Sequence, residues 1–463
     1  MRPHFSFLIW PAAFAAALAG CAGDASSTAQ TAPAVPAAGA LVPLGGEHGT
    51  VPASGVRKPL SFQDCTQGNG NGPGAFVGVN HSNAAGNTDA FVGDGQGNTT
   101  CESNSAIVAG YANEIPLTGT SPGNGFIGAG ESNSILGYAD NAIVAGSGNV
   151  VKNGSTSFIG SGAGNQVSGT DSGVLAGTSD TNNASYALIG AGSSNIITPA
   201  GSYSMIGAGS NNMVSASYAA IGAGLNNTAS GEGAYVAAGG YNTAAGEGAV
   251  IDGGFNQTAN GVFATIPGGY ENSAGGTYSF AAGARASAPY SGDFVWSDGS
   301  DGDTVLTATK AYQFLVRSSG GVTFWTNAGS TVGATLAAGS GSWASTSDRN
   351  AKTNVTPLDD AGVLDKVASL PISHWSYTSE RGVRHVGPMA QDFYAAFKVG
   401  PDNKHITSID EDGVALSAIK ALHAENARLR ARVTDLTTAQ ARRDRGLEAE
   451  IAQLRSALAA LRR

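Results

Sequence analysis

The feature that most constrains this chain is a short block that recurs between residues 75 and 287. Typically two residues, at least one of them apolar, precede glycine, a small residue and a second glycine, as in Phe126-Ile127-Gly128-Ala129-Gly130. Successive blocks end mostly 14 to 17 residues apart, with one step of 20. Three residues after a block end lies an asparagine, with Asp180 in one slot: Asn83, Asn98, Asn113, Asn133, Asn149, Asn165, Asn195, Asn212, Asn227, Asn242, Asn256 and Asn272. A period of this length predicts stacked repeats.

Each repeat is predicted to hold two short strands separated by glycine and asparagine turns, because both residue types tolerate the positive φ of a tight corner. The Ile, Val or Phe before the first glycine is expected to point inward. The asparagine is expected to stack on the asparagine of the next coil and to hydrogen-bond along the axis. One coil cannot bury an apolar face alone, so its stability must come from its neighbours.

Repeats of this length and asparagine-rich texture resemble the left-handed β-roll of trimeric autotransporter adhesin heads. The resemblance covers roughly residues 75 to 287 and implies a head built from three chains. A parallel β-helix formed by a single chain is the structural alternative. We take residues 65–287 as the predicted repeat head.

The charges of this region exclude several classes of function. Between Thr66 and Ala284 there is one lysine, no arginine and twelve acidic residues. Such a body argues against nucleic acid or anionic lipid as its partner. The acidic residues are scattered singly and His81 is the only histidine, so no metal site is predicted. The many G-x-G matches lack a strand–helix context, so no phosphate loop and no cofactor is predicted.

The N-terminus has the pattern of an export signal. Arg2 precedes a mostly apolar run that ends in Leu18-Ala19-Gly20-Cys21, which resembles the lipobox of bacterial lipoproteins. The resemblance implies a signal peptide at 1–20, lipidation of Cys21 and an outer-membrane location, with the fibre at the cell surface. A short transmembrane anchor is the alternative, although about 14 apolar residues are few for a bilayer. Residues 21–64 are predicted to form a flexible tether rich in Ala, Pro, Ser and Thr.

Two cysteines remain once Cys21 is assigned to lipid. Cys65 and Cys101 fall at the start of the repeat region. In an oxidising envelope they are expected to pair as a disulfide that would pin the outer end of the head. Two free buried thiols are the alternative.

Residues 288–346 change character and are predicted to form an intertwined β-rich neck. Short strand signals at 294–296, 314–316 and 322–325 lie between turns rich in Gly, Ser and Asn. The segment 338–343 is then expected to be exposed and flexible, and it leads to Ser347, where the next predicted module begins.

The chain from Ser347 onward contains a set of characteristic segments: Ser347-Asp348 with Lys352, 364–370, 372–375, 385–393 and 409–415. In these segments it resembles the endosialidase-type intramolecular chaperones, the peptidase S74 family, which end phage tailspikes, tail fibres and some bacterial surface proteins. The family often has arginine three residues after the serine, whereas here Asn350 occupies that position and Arg349 precedes it. This departure concerns a helper residue rather than the Ser/Lys pair.

The resemblance implies that the module holds three chains in register while the fibre folds and then cuts itself off. Ser347 would attack the carbonyl of Thr346, and Lys352 would accept its proton once burial lowers the pKa of the amine. Asp348 could orient either group. An uncleaved trimerisation domain, with Ser347 in a turn and Lys352 at the surface, is the alternative. We predict the module at 347–412.

Residues 413–463 are predicted to form a coiled-coil helix. Apolar residues and one asparagine follow heptad spacing, with a change of phase near Gly446 that indicates a stutter or a break. The predicted seam consists of Leu422, Asn426, Leu429, Val433, Leu436, Leu447, Ile451, Leu454, Leu458 and Leu461.

Together these patterns predict a mainly β protein: a left-handed, trimeric β-roll followed by a small α/β chaperone module and a coiled coil. The predicted function is a lipid-anchored homotrimeric fibre whose adhesin-like head binds a surface ligand, either a glycan or a matrix protein. The only predicted enzymatic activity is self-cleavage by a Ser/Lys peptidase. The alternative function is a tailspike-like fibre that binds or degrades glycans.

Overall fold

The computed structural model describes residues 73–78, 82–117 and 123–462. The predicted signal peptide, Cys21, the tether, Cys65 and His81 lie outside these residues. No helix in the described ranges is both long enough and apolar enough to cross a membrane. The described chain consists of a long parallel β-solenoid, a short antiparallel sheet and a small α/β region.

Two parallel sheets run the length of the solenoid, and most coils contribute one short strand to each. The first sheet contains β1 (Phe76–Val77), β3 (Phe91–Val92), β5 (Ala106–Ile107), β7 (Phe126–Ile127), β9 (Ala142–Ile143), β11 (Phe158–Ile159), β13 (Gly173–Val174), β15 (Leu188–Ile189), β17 (Met205–Ile206), β19 (Ala220–Ile221), β21 (Tyr235–Val236), β23 (Val250–Ile251), β25 (Thr265–Ile266), β26 (Gly269–Tyr270), β28 (Phe280–Ala284), β30 (Phe294–Asp298) and β32 (Phe314–Arg317).

The second sheet contains β2 (Ala84–Ala85), β4 (Thr99–Thr100), β6 (Glu114–Ile115), β8 (Ser134–Leu136), β10 (Val150–Lys152), β12 (Gln166–Val167), β14 (Thr181–Asn182), β16 (Ile196–Ile197), β18 (Met213–Val214), β20 (Thr228–Ala229), β22 (Thr243–Ala244), β24 (Thr258–Ala259), β27 (Ser273–Ala274), β29 (Ala286–Ala288) and β31 (Leu306–Thr307). Its strands pair in parallel in chain order.

The core lies between the two sheets. In β7 Phe126 points outward, and Ile127 is fully buried. Ile135 of β8, in the second sheet, is also fully buried and belongs to the same core cluster. This alternation recurs along the stack, so one chain encloses a continuous apolar core. Burying such a side chain contributes roughly 1.5–3 kcal/mol. The predicted repetitive β-fold is confirmed as a parallel β-solenoid.

The predicted asparagine ladder is also confirmed. The backbone N–H of Asn98 donates to Asn83 Oδ1 at 2.9 Å, and Asn98 Oδ1 accepts from the N–H of Asn113 at 3.1 Å. Asn98 Nδ2 donates to the carbonyl of Gly110 in the next coil at 2.9 Å. Each amide therefore satisfies backbone groups that the turn would otherwise bury without partners.

One rung was assigned to the wrong residue. Gln257, not Asn256, occupies the ladder: its N–H donates to Asn242 Oδ1 at 3.0 Å, and its Oε1 accepts from the N–H of Asn272 at 2.8 Å. Asn256 instead takes a positive φ of 59°. The block ends at Gly254, whose φ is +92°, one residue later than the Gly253 that the repeat series indicated. Asp180 does occupy its predicted slot.

The parallel stack continues beyond the predicted head boundary at residue 287. Strand β30 pairs in parallel with β28 and with β32, so the first half of the predicted neck belongs to the solenoid. The rings of Phe280, Phe294 and Phe314 stack on one another at centroid distances of 4.6 and 4.8 Å. The second half forms an antiparallel sheet of β33 (Gly321–Trp325), β34 (Gly333–Ala337) and β35 (Trp343–Ser345).

The C-terminal region is small and helical, with one hairpin. It contains a 3-10 helix (Arg349–Ala351), α1 (Asp360–Ser369), β36 (Ser373–Trp375), β37 (His385–Gly387), α2 (Ala390–Phe397) and α3 (Ser408–Leu461). Helix α3 begins five residues before the predicted boundary at 413, because Thr407 caps it by accepting from the N–H of Asp410. It passes through Gly446 without a break, which leaves the stutter of the two predicted alternatives.

Candidate functional site

The candidate site begins where the antiparallel sheet ends. Ser347 lies two residues after β35, and the 3-10 helix Arg349–Ala351 follows at once. Asp348 caps this helix, since its Oδ1 accepts from the N–H of Asn350 at 2.9 Å. The N–H of Lys352 donates to the carbonyl of Arg349 at 3.2 Å and closes the turn. The tight turn folds the chain back on itself within six residues.

This turn brings the two predicted reactive groups together. Lys352 Nζ donates to Ser347 Oγ at 2.7 Å. That distance lies within the range over which a base can take a proton from a nucleophile. An amine held against a serine hydroxyl is one way of activating a nucleophile that is weak by itself.

The surroundings of the pair differ from the expectation. Both Ser347 and Lys352 are exposed in the single chain, so the burial expected for the lysine is not present. Asp348 was named as a residue that could orient either group. Its carboxylate instead accepts from the N–H of Asn350, so it acts on the pair through the backbone of the turn. Arg349 is exposed and contributes its carbonyl to the same turn.

The approach to Ser347, predicted as a flexible segment at 338–343, is exposed as predicted, but it forms a turn that leads into strand β35. Gly339 takes a φ of +70°, and the N–H of Ser340 donates to the carbonyl of Ala337 at 2.9 Å. This turn returns the chain so that β35 pairs with β34. The pairing extends one residue further, because the N–H of Thr346 donates to the carbonyl of Gly333 at 2.9 Å. The peptide before Ser347 is therefore held by a sheet.

Helix α1 is fastened to the start of α3 by a carboxylate that the sequence did not single out. Asp360 Oδ1 accepts from Ser417 Oγ at 2.7 Å, and Asp360 Oδ2 lies 2.5 Å from Lys420 Nζ. The hydrogen bond from Lys420, and then that from Ser417, lowers the pKa of Asp360 below the ordinary 3.8. This contact positions the two helices but does not bring a further group to Ser347.

The predicted coiled-coil seam has no packing partner in the single chain. Its apolar residues are all exposed. Asn426 Nδ2 donates to the carbonyl of Leu422 within the helix at 3.0 Å. A stripe of apolar residues on a helix of 54 residues is a surface that other copies of the helix can cover.

The remaining predicted sites have mixed outcomes. Cys101 is disulfide-bonded. Because Cys65 lies outside the described residues, its pairing with Cys101 stays a prediction, as does the lipidation of Cys21. Within the described ranges, no group of three or more His, Cys, Asp or Glu side chains is arranged to hold a metal ion.

Comparison with known proteins supports the assignment of the C-terminal region. Residues 347–400 match the family model Peptidase_S74, described as a chaperone of endosialidase. The match begins at Ser347, the residue whose hydroxyl meets Lys352. No curated protein matches the chain. The chain thus carries a chaperone-of-endosialidase segment behind a parallel β-solenoid, and this combination fits a tail fibre or tailspike.

Proposed function

We propose that this protein is a trimeric fibre whose C-terminal module assembles the three chains and then releases itself by cutting the bond between Thr346 and Ser347. The observation that carries the proposal is the 2.7 Å contact between Ser347 Oγ and Lys352 Nζ. It lies at the first residue of the matched chaperone segment. The family is linked to self-cleavage, a reaction in which this Ser/Lys contact can take part.

The proposed reaction needs no group from outside the chain except water. Ser347 Oγ attacks the carbonyl carbon of Thr346, and its proton passes to Lys352 Nζ. The C–N bond of the peptide breaks, and the proton returns to the nitrogen of Ser347, which leaves as an amine. The ester formed between Thr346 and Ser347 Oγ is then hydrolysed by water. The products are a carboxylate on Thr346 and a C-terminal fragment that begins at Ser347.

We further propose that assembly activates the cut. Lys352 is exposed to water in the single chain. Packing of a neighbouring chain over the turn would remove water and favour the neutral amine that can act as a base. Cleavage would then follow trimerisation instead of preceding it. This order protects the fibre, because long repetitive β-structures slip register easily and fold slowly.

Two unpartnered surfaces support the proposal of a trimer. One is the exposed seam of α3. The other is the outward row of the first sheet, which is rich in apolar residues, whereas the outward row of the second sheet is mostly Thr, Ser and Gln. The exposed apolar members of the first row are Phe76, Phe91, Phe126, Leu188, Met205, Tyr235 and Phe314. A parallel bundle of three α3 helices would place identical rows beside one another at equal heights.

The test is the intact mass of the chain after expression, for the wild type and three variants. Ser347→Ala is expected to abolish the cut, and Lys352→Ala to slow it by roughly 10²–10⁴-fold, the usual value of a general base. Lys366→Ala is the matched control, since this lysine is also exposed and lies in the same module. A wild-type fragment that begins anywhere but Ser347, or cutting that persists in Ser347→Ala, contradicts the mechanism.

For the head we propose ligand binding, with a glycan or a matrix protein as the ligand. One corner of the solenoid supports it: Tyr186, Tyr203 and Tyr218 are exposed, hold positive φ and stack at 4.8 and 5.3 Å. Asn, Asp or Gly adopts this backbone more easily than a bulky residue. Aromatic side chains there are not required by the turn, so an exposed contact surface is a reason for their presence.

The binding proposal is tested by replacing Tyr203 and Tyr218 together with asparagine. We expect the variant to keep the solenoid and to lose retention on a glycan array or on immobilised matrix protein. Release of oligosaccharides by the wild type would favour the alternative, a tailspike that degrades glycans. We also propose a lipid anchor on Cys21 in the outer membrane. Loss of membrane association in Cys21→Ser tests this point, since buried acyl chains contribute about 0.8 kcal/mol per CH₂.

A further inference from the structure

We propose that the side chain of Thr346 is a positioning group for the self-cleavage: its hydroxyl keeps the carbonyl of its own peptide bond out of the β-sheet. The inference rests on the proposed cut between Thr346 and Ser347. It concerns the residue on the acyl side of that bond, whose side chain has no part in the Ser/Lys pair.

The register of the sheet shows which hydrogen bond is replaced. Strands β34 and β35 are antiparallel, with Ala334 opposite Ser345, so Gly333 lies opposite Thr346. The N–H of Thr346 donates to the carbonyl of Gly333 at 2.9 Å, which makes this a hydrogen-bonded pair. In such a pair each residue donates to and accepts from the other. The N–H of Gly333 should therefore donate to the carbonyl of Thr346.

The Thr346 hydroxyl, and not the Thr346 carbonyl, accepts this second hydrogen bond from Gly333. The N–H of Gly333 donates to Thr346 Oγ1 at 3.2 Å, and Thr346 Oγ1 donates to the carbonyl of Gly333 at 3.2 Å. Within the described residues, the carbonyl oxygen of Thr346 accepts no hydrogen bond. The side chain thus completes the pairing with Gly333 and leaves the scissile carbonyl free.

A free carbonyl matters for two reasons. A ladder bond is aligned with the planar carbonyl, so it stabilises the starting peptide, whereas only interactions that strengthen in the transition state accelerate a reaction. Attack by Ser347 Oγ also turns the oxygen out of the peptide plane, where donors must meet the developing negative charge. In addition, the freed peptide can leave the sheet at Ser347, which the turn toward Lys352 requires.

Gly333 is suited to be the partner. A Cβ on this residue would lie 2.1 Å from the carbonyl oxygen of Phe324 in the neighbouring strand β33. A larger residue would push β33 and β34 apart and move the group to which Thr346 is fastened. The sheet therefore needs glycine at 333 and a hydroxyl at 346 for the arrangement to form.

The experiment compares Thr346→Ser and Thr346→Val in the full-length chain. Self-cleavage is followed by time points after a pulse of cell-free synthesis. Serine keeps the hydroxyl and is expected to cut within about threefold of the wild-type rate. Valine keeps the branched shape without the hydroxyl. The carbonyl of residue 346 is then expected to accept the hydrogen bond from the N–H of Gly333. The cut should then slow by about 10- to 100-fold, the effect of misplacing a reacting group.

Two further readouts separate positioning from a general loss of structure. The pH at which the cleavage rate reaches half its maximum should be the same in Thr346→Val as in the wild type, because the valine variant retains Lys352. In the uncut Ser347→Ala background, an infrared label on the carbonyl of residue 346 should move to lower wavenumber on Thr346→Val, because that carbonyl gains a hydrogen bond.

The outcomes distinguish this inference from the proposed function. A wild-type chain that never cuts rejects the proposed function itself. A wild-type chain that cuts while Thr346→Val cuts equally fast, or while Thr346→Ser is as slow as Thr346→Val, rejects only the role of the hydroxyl. An unchanged carbonyl frequency in Thr346→Val rejects it as well.

Discussion

The solenoid and the C-terminal region differ in how much apolar surface each buries within a single chain. Along the solenoid most coils bury one to three aliphatic side chains completely and pass their polar groups to the asparagine ladder. Between residues 347 and 462 only three apolar side chains are buried, those of Val363, Phe393 and Ala418. The helix α3 leaves its apolar seam exposed. The solenoid has a core within one chain, whereas the C-terminal region buries little within one chain, as the proposed trimer would require.

Association with other chains and persistence after assembly are two tasks that are often performed by the same surface. The difference in burial assigns them to different regions. A region with little internal core gains stability mainly by association, so it reports whether other chains are present. A region with a complete core can persist after its helper has gone. The proposed order of assembly followed by cutting uses both properties.

The largest expected effect comes from breaking the seam. Leu429→Glu combined with Leu436→Glu places buried charges in a coiled coil and should convert a trimer into monomers. Light scattering should show the mass fall threefold, and the cut should be lost with it. The solenoid should keep its β-sheet circular dichroism.

The control for this test is Ala431→Glu combined with Thr438→Glu. These residues have the same spacing of seven but lie off the predicted seam, so the trimer should survive. A seam variant that loses its β-sheet signal along with its trimer would show that the solenoid is not independent.

The next effect concerns the core of the solenoid itself. Ile221→Ala removes a fully buried side chain and is expected to cost about 2–5 kcal/mol locally. Ile196→Ala is the matched control, because Ile196 points outward from the second sheet and is exposed. Hydrogen exchange of the coil around each residue, measured in the monomeric seam variant, should show faster exchange only for Ile221→Ala. Equal effects would mean that the two faces are equally buried in solution.

A smaller effect follows from the one acidic rung of the ladder. Asp180 Oδ1 accepts from the N–H and the Nδ2 of Asn195 at 2.8 and 2.9 Å, whereas Oδ2 is buried with no hydrogen-bond partner. Elsewhere in the ladder the equivalent atom is usually an amide nitrogen that donates to a glycine carbonyl in the next coil, as Asn165 Nδ2 donates to Gly177. Burial raises the pKa of Asp180 above the ordinary 3.8.

Because this pKa is raised in the folded chain, the native state binds more protons than the unfolded chain above pH 3.8. Stability is therefore lost as the pH rises from 3.8 through the folded value. Asp180→Asn should stabilise its coil at pH 7 by about 1–3 kcal/mol, and the gain should shrink as the pH falls through the folded pKa of Asp180 toward 3.8. Asn212→Asp should have the opposite effect. A pH-independent difference between Asp180→Asn and the wild type in thermal unfolding would contradict this account.

The smallest expected effect has the opposite dependence on pH. The pKa of Asp360 is lowered, mainly by Lys420, so its contribution is present above the ordinary 3.8 and is lost as the pH falls through the folded value. Asp360→Asn should lower the thermal midpoint of the C-terminal region slightly at pH 7, and the difference should shrink as the pH falls through the folded pKa of Asp360. The contact is partly exposed, which keeps its contribution small. Acidification should thus raise the folding stability of the solenoid around Asp180 and lower that of the C-terminal module.

The sequence predicted the features that repeat or that lie close together in the chain. Asn98 and Asn113 are rungs because their spacing recurs, and Ser347 meets Lys352 because one turn joins them. Gln257 was missed because consecutive glycines at 253 and 254 leave the end of that block ambiguous. The bond between Gly333 and Thr346 was missed because it depends on the register of a hairpin, which no local pattern determines.

The predicted neck shows the same limit. Strand signals at 294–296 and 314–316 were read correctly, but the sequence did not show that these strands pair in parallel with the head. The sequence repeat that predicts the solenoid is no longer visible in the first half of the neck, because longer strands replace the two-residue strands. Pairing then depends on strand direction, which composition does not report.

The ladder also makes the length of the fibre adjustable in whole units. The N–H of Asn227 donates to Asn212 Oδ1 and the N–H of Asn242 donates to Asn227 Oδ1, both at 3.0 Å. Deleting the fifteen residues between one rung and the next would present Asn242 to Asn212, which offers the same acceptor in the same place. A gene that gains or loses one coil would thus shift the reach of the fibre by about 4.8 Å, the spacing of neighbouring strands, while both ends stay chemically unchanged.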